Sequence, residues 1–338
     1  MPPTPPIPPR LVARRAVVLG RAGYDLYSAE PGARLDQTRR FQAGLGGSSA
    51  NIAVGLARLG WRVSMAAAVS RDAVGRFIQA RLRAEGIRLD ALQTVAGHAS
   101  SLCLTQIAPP DGAEQVFYRG QPADAQLRWT PALLAALRTA RGGLFLTNGT
   151  SLCARPARTT TRQALAAARR AGMTTVLDVD YRASSWPSPA AAGRAAWAVL
   201  PQVDVLLANQ TEMRLLAAGA RRRAGESLAR AARTRGVRVV VCKLGARGAV
   251  AYGPGGRVRC PAAEAEVVST VGAGDGFAAG FLDGYARGWP LAECLARGNL
   301  SASWVVARVG CAEVMPRAAD LPARATQSPL PPAAGSGV

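Results

Sequence analysis

Residues 270–277 read TVGAGDGF. Gly272, Ala273 and Gly274 carry little or no side chain, so their N–H groups can converge on one ligand. The residues that follow have helical spacing, and a helix start adds the positive end of its dipole. Such a cradle suits the charge that develops on a phosphoryl group during transfer. The one acid among the glycines, Asp275, would repel a merely bound phosphate. As a general base it has a use: it can take the proton from an attacking hydroxyl. Asp is also favoured at helix N-caps, and for the pair Gly274–Asp275 alone capping is the simpler reading. Two common phosphate loops fail here. A Walker loop needs G-x-x-x-x-G-K-[ST], and the stretch has no lysine; a dinucleotide fingerprint needs a third glycine where Phe277 stands.

Apolar β-prone runs that could position this loop alternate with helical stretches. Strands are predicted at 16–20, 63–69, 102–108, 144–149, 174–180, 204–209 and 238–245. Helices are predicted at 49–60, 74–86, 159–172, 226–236 and 274–288. Near-continuous apolar strands between helices indicate a parallel sheet covered on both faces, with ligands beyond the strands' carboxyl ends. Residues 100–128 carry more turn signals and suggest an excursion from that sheet, such as a lid. No internal repeat and no clear linker is seen.

The chain has 338 residues, enough for a deep core without disulfide or metal. No apolar run is long enough to span a membrane, and the N-terminal MPPTPPIPPR has no signal-like apolar core. The six cysteines form no C-x-x-C pair and are expected as free thiols in a reducing cytoplasm. With one histidine, His98, no histidine-based metal site is expected. The formal charge is +21, yet the arginines are scattered, apart from Arg221–Arg223, and few aromatics accompany them. That argues against a nucleic-acid surface. Lys243 is the only lysine; every other basic residue is arginine, a pattern of GC-rich coding. The basic field would also draw anionic small molecules.

The string from Thr270 to Asp275 resembles the T-x-G-A-G-D signature of the ribokinase-like (PfkB) carbohydrate kinases. LGGSSANIAVGLARLG (45–60) resembles the first motif of the same family, in the right order and about two hundred residues earlier. The resemblance covers roughly residues 16–316. It implies a three-layer α/β/α Rossmann-like sandwich with a mostly parallel central sheet and a small β-sheet lid. The kinase domain would span 15–318, with lid segments within 20–45 and 98–125, between a proline-rich tail (1–14) and a C-terminal tail (319–338). ATP and Mg2+ would be the cofactors, the location cytoplasmic, and a homodimer through the lid is one option.

By this resemblance Asp275 is the catalytic base, and the amides of Gly272, Ala273 and Gly274 form the anion hole. NQTE (209–212) resembles the family's N-x-x-E motif, so Asn209 and Glu212 would organise phosphate and magnesium, Glu212 through water. Glu212 could equally be a first-turn helix acid. CKLGARG resembles the nucleotide segment: Lys243 would sit near the phosphates, and Gly245 and Gly248 would let the chain pass close to the nucleotide. Asn299 would line the adenine pocket. Asp25, Gly46, Gly47 and Asn51 would bind the sugar. Ser269 departs from the pattern, which has an acid there that serves a monovalent-cation site, so potassium activation stays open.

Three further stretches, 25–60, 117–127 and 178–186, resemble the 5-dehydro-2-deoxygluconokinases of inositol breakdown within this family. The 2-keto-3-deoxygluconate kinases share a version of the last, carried here by Asp178, Asp180 and Arg182. Either substrate is a sugar acid, and guanidinium forks suit its carboxylate; Arg119 and Arg182 are the candidates. The expected reaction is phosphorylation of the 6-hydroxyl of 5-dehydro-2-deoxy-D-gluconate. Alternatives are a kinase of 2-keto-3-deoxygluconate, fructose or a nucleoside, a non-catalytic basic nucleic-acid-binding or regulatory protein, and a bare scaffold.

Overall fold

The computed structural model describes residues 13–30, 32–108, 114–220 and 224–324. Arg221–Arg223 and most of both expected tails lie outside these residues. The chain opens with β1 (Arg15–Leu19), β2 (Gly23–Ser28), β3 (Phe41–Gly46), α1 (Ser48–Arg58), β4 (Arg62–Ala66), β5 (Ala68–Ser70) and α2 (Ala73–Ala84). β6 (Gln93–Val95), β7 (Leu102–Thr105), β8 (Gln115–Tyr118), α3 (Pro131–Thr139), β9 (Leu144–Asn148), α4 (Ala157–Arg170), β10 (Thr174–Asp178) and α5 (Pro189–Val199) follow. The last third holds β11 (Val205–Asn209), α6 (Gln210–Gly219), α7 (Glu226–Arg233), β12 (Val239–Lys243), β13 (Ala249–Gly253), β14 (Gly256–Cys260), α8 (Ala273–Ala286) and α9 (Leu291–Val306).

The main sheet runs β14-β13-β12-β11-β10-β9-β1-β4. Its strands are parallel from β4 to β12, and β13 and β14 extend it by antiparallel pairing to the β14 edge. Successive strand residues bury on opposite faces, as the pleat requires. Leu144 and Leu146 join a core with α1, α8 and α9; Phe145 between them joins the core of α3, α4, α5 and α7. The result is a three-layer sandwich. A smaller lid sheet, ordered β3-β2-β7-β8, crosses its carboxyl edge.

The predicted strand 63–69 divides. β4 stays with β1, whereas β5 leaves the main sheet to pair with β6. All of 65–69 is buried, so hydropathy carried no mark of the break. Of the expected strand 102–108, Leu102–Thr105 form β7. Helices α3 and α5 were not anticipated; both begin at a side-chain cap, on Thr130 and Ser188. α6, capped by Asn209, bears out the reading of Glu212 as a first-turn helix acid.

α8 carries the signature and is nearly enclosed. Its glycines let α9 approach: a Cβ at Gly280 would lie 2.6 Å from the Arg297 carbonyl oxygen, and one at Gly276 3.1 Å from that of Ser301. Phe277, Phe281 and Tyr285 stack along the helix beside these glycines, 6.0 Å between successive rings. Near its carboxyl end Asp283, fully buried, accepts from Trp61 Nε1 (3.0 Å), Arg14 Nη2 (2.7 Å), Arg287 Nε (3.1 Å) and Arg297 Nε (2.8 Å). Arg297 also donates to the Pro322 carbonyl, Leu321 is buried, and Arg324 pairs with Glu293. The packed chain therefore includes Arg14 and continues past 318, beyond the boundaries expected for the two tails. Asp283→Ala would leave three guanidiniums around an empty centre; it is expected to lower unfolding stability by about 3–5 kcal/mol, read from urea denaturation.

Candidate active site

β1 turns one way to β4 and β9 the other way to β10, so the sheet's switch point lies between β1 and β9. Side chains from the carboxyl ends of five strands meet above it, where open α/β sheets bind ligands. They are Arg21 and Asp25 after β1, Asn148 on β9, Asp178 and Asp180 on and after β10, Glu212 after β11 and Lys243 on β12. α8 points its amino end at the same place.

Gly272 is left-handed (φ 80°) and precedes the first helical residue, so Asp275 sits in the first turn and is not the cap. The capping reading fails on this geometry. The Asp275 carboxylate instead accepts from Ser48 Oγ (2.5 Å) and Asn51 Nδ2 (2.8 Å), both at the amino end of α1. Ser48 in turn accepts from Asn148 Nδ2 (2.8 Å), and Asn148 Oδ1 accepts from Ser49 Oγ (2.5 Å). Burial, reinforced by the negative Asp180 nearby, raises the Asp275 pKa to about 6 despite those two donors. Asp275 and Gly276 spend their amides on the Gly272 carbonyl, and Ala273 makes a long bond (3.4 Å) to Thr270. The amides of Gly272 and Gly274 have no backbone acceptor among the described residues. A Cβ at Gly274 would stand 3.5 Å from Lys243 Nζ, so the ammonium lies against this cradle.

Lys243 donates to both oxygens of Asp178 (2.8 and 3.1 Å). Burial works against its charge, but Asp178 and Glu212 hold its pKa above the ordinary lysine value. Asp180, at a left-handed φ of 35°, accepts from Arg182 Nε (3.1 Å). Asp178 and Asp180 thus each hold a cation. Glu212 is buried and raised by that burial, and its oxygens accept from the Asn209 (2.7 Å) and Tyr181 (2.9 Å) amides. Asn209 Oδ1 accepts back from the Glu212 amide (2.9 Å), a complete capping box. Glu212 therefore ties the loop after β10 to the start of α6.

Where the sugar is expected, Asp25 Oδ2 accepts from Tyr27 (3.3 Å), while Oδ1 is buried without a partner. Burial, partly offset by Arg21, raises its pKa to about 6. Gly46 is needed here: a Cβ would fall 1.9 Å from the Asp25 carboxylate. Gly47, at φ 95°, precedes α1 and passes the Arg21 carbonyl. Asn51 donates to Asp275 through Nδ2 and keeps Oδ1 buried and unpaired.

Two expected contacts take another form. Arg119 is enclosed, and each of its three guanidinium nitrogens donates: to Ser101 (3.1 Å), to Ser185 (2.6 Å) and to Asp124. It clasps the lid sheet to the loop after β10 and offers no free fork to a substrate. Asn299 donates to the Cys260 and Pro261 carbonyls (3.4 and 2.6 Å), so its amide holds the strand exit instead of facing a base. Gly248 (φ 82°) abuts the same chain, where a Cβ would lie 2.1 Å from the Cys260 oxygen; Gly245 (φ 63°) faces open space. All six cysteines are free thiols.

Fold and site together are those of a small-molecule kinase of the ribokinase-like class. The profile of the pfkB family carbohydrate kinases matches residues 13–318. The chain belongs to this family. It is 32% identical over 311 residues to a 5-dehydro-2-deoxygluconokinase from Shouchella clausii, covering 91% of this chain and 94% of that one. The crystal structure of a PfkB protein from Polaromonas sp. JS666 superposes with a TM-score of 0.76 at 26% identity, covering 88% and 98% of the two chains. A fructokinase with bound ATP from Xylella fastidiosa shares the fold (TM-score 0.78, 21% identity, 91% and 97% covered).

ATP-dependent phosphorylation of a sugar or sugar acid is the activity of the family, with ATP and Mg2+ its typical cofactors. No cluster of three or more potential ligands that could hold a metal occurs among the described residues. With Asp178 and Glu212 both committed, Mg2+ fits as an ion carried mainly by nucleotide phosphates and water. Asp178 and Glu212 would hold its waters, and the ion would offset phosphate charge. No helix of the described residues is long and apolar enough to cross a membrane.

Asp275→Asn should lower kcat by about 10² to 10⁴ while ATP binding persists, checked by coupled ADP release and nucleotide titration. Because a base must be ionised, kcat/KM should fall as pH drops through about 6. A flat profile from pH 5 to 8 would mean that Asp275 is not that base.

Proposed function

We propose that the protein transfers the γ-phosphoryl group of ATP to the 6-hydroxyl of 5-dehydro-2-deoxy-D-gluconate. The observation that carries this reading is the 32% identity to 5-dehydro-2-deoxygluconokinases across nine-tenths of the chain. The unpaired Asp25 and Asn51 oxygens give a hydroxylated substrate two acceptors. Arg182, paired through one nitrogen and partly open, gives its acid group a cation. Asp275 takes the proton of the 6-hydroxyl, whose oxygen forms the bond to phosphorus as the bond to the ADP oxygen breaks. The Gly272 and Gly274 amides, the start of α8 and Lys243 face the charge on the transferring group. The lid sheet excludes water, which limits ATP hydrolysis. This reading puts the enzyme in inositol breakdown in the cytoplasm, where six free thiols are in keeping with a reducing medium.

Purified protein would be offered 5-dehydro-2-deoxygluconate, 2-keto-3-deoxygluconate, fructose and adenosine in parallel. The first should exceed the neutral compounds by about 100-fold or more in kcat/KM. Preference for 2-keto-3-deoxygluconate would keep the mechanism and replace the substrate; preference for fructose or adenosine would sink the sugar-acid reading.

A further inference from the structure

Arg21 follows directly on β1 and its turn at Gly20, and it is 4% exposed. Its Nε and Nη1 are both buried, and neither has a hydrogen-bond partner. A buried guanidinium with unmet donors is costly unless something else satisfies it. Its guanidinium lies 5.5 Å from the centre of the Phe117 ring, and that of Arg182 lies 5.6 Å from the same ring. Phe117 belongs to β8 of the lid sheet. One lid side chain thus gathers two cations beside the sugar-binding Asp25. Of the two, Arg182 already has Asp180, and Arg21 has no hydrogen-bonded acid.

Other residues do not fill this role. Arg119 is consumed by Asp124 and two serines. Lys243 is consumed by Asp178 and lies at the phosphate end. A separate cavity of about 450 Å³ between α4 and α5, lined by Arg158, Arg162, Arg194 and Trp186, lies on the helical flank. Arg158 there is held by the carbonyls of Leu152 and Cys153.

We propose that Arg21 binds the carboxylate of the substrate, with Arg182 across Phe117, and that this pair makes the enzyme select sugar acids over neutral sugars. The proposal rests on the sugar-acid reading above. The bound acid would meet the two idle N–H donors as charge-assisted hydrogen bonds. The lid ring would bring both guanidiniums to one place only when β8 is seated. Asp25 beside them would take a hydroxyl of the same molecule on Oδ1, which fixes the distance between acid group and hydroxyl chain.

The test compares wild type, Arg21→Gln and Arg21→Lys in steady-state kinetics on the two sugar acids and on fructose, with melting temperatures measured with and without each sugar acid. Arg21→Gln should raise KM for the preferred sugar acid by about 10- to 150-fold, with a much smaller change in kcat. Selectivity over fructose should fall by a similar factor, and the sugar acid should no longer raise the melting temperature. Arg21→Lys keeps the charge without the planar fork and should fall between the two; it also serves as the test should Arg21→Gln fold poorly. A wild-type KM in either variant would overturn the role of Arg21 and leave the proposed function standing. A wild type that prefers fructose would overturn both, and it would show in the unmutated enzyme alone.

Discussion

The site depends on how charges are paired around one buried carboxylate. Asp275 is enclosed, yet it accepts only from neutral donors, Ser48 and Asn51. The cations nearby are held by other acids: Lys243 by Asp178 and Arg182 by Asp180. An ion pair on Asp275 would hold its proton affinity down and make it a weak base. With the cations committed elsewhere, burial sets its pKa at about 6, low enough for ionisation at neutral pH and high enough to accept a proton in the transition state. The same two pairs bring positive charge to the start of α8 and to the loop after β10 without neutralising Asp275.

Holding that arrangement is the work of the two faces of the sheet. α8 must present Gly272, Gly274 and Asp275 at a fixed height over the strand ends. Its glycines admit α9 at backbone distance, and Asp283 fastens its far end to Arg14, Trp61, Arg287 and Arg297. α1 meets the same helix from the side and supplies both donors to the base. Displacing either helix would separate Ser48 and Asn51 from Asp275, so rigidity of this packing and strength of the base are one property.

Much of this was legible in local sequence. The glycine cradle, the strand-end acids and the α/β alternation are short-range patterns, and each is where the spacing put it. The antiparallel strands β13 and β14, the break at Ala67 and the capped helices α3 and α5 were less so, because hydropathy is blind to pairing direction and weak for short amphipathic segments. Arg119 shows the limit for side chains: the resemblance marked it as a carboxylate ligand, and five residues on, Asp124 takes it. Ser48, Asn148 and Arg21 carried no signal of their own. A serine in a glycine-rich turn and an arginine among many look ordinary until their neighbours are known.

The sequence by itself determined the class of fold and placed one acid and a glycine-rich backbone at the start of one helix, because those features are written in contiguous residues whose conformations are set locally. Only the tertiary structure decided what each charge is paired with. Ser48 and Asn51 reach Asp275 across 227 and 224 residues, and Lys243 reaches Asp178 across 65. Proton affinity and free donors depend on such contacts and on burial, which arise when the strands are set side by side and the helices close over them.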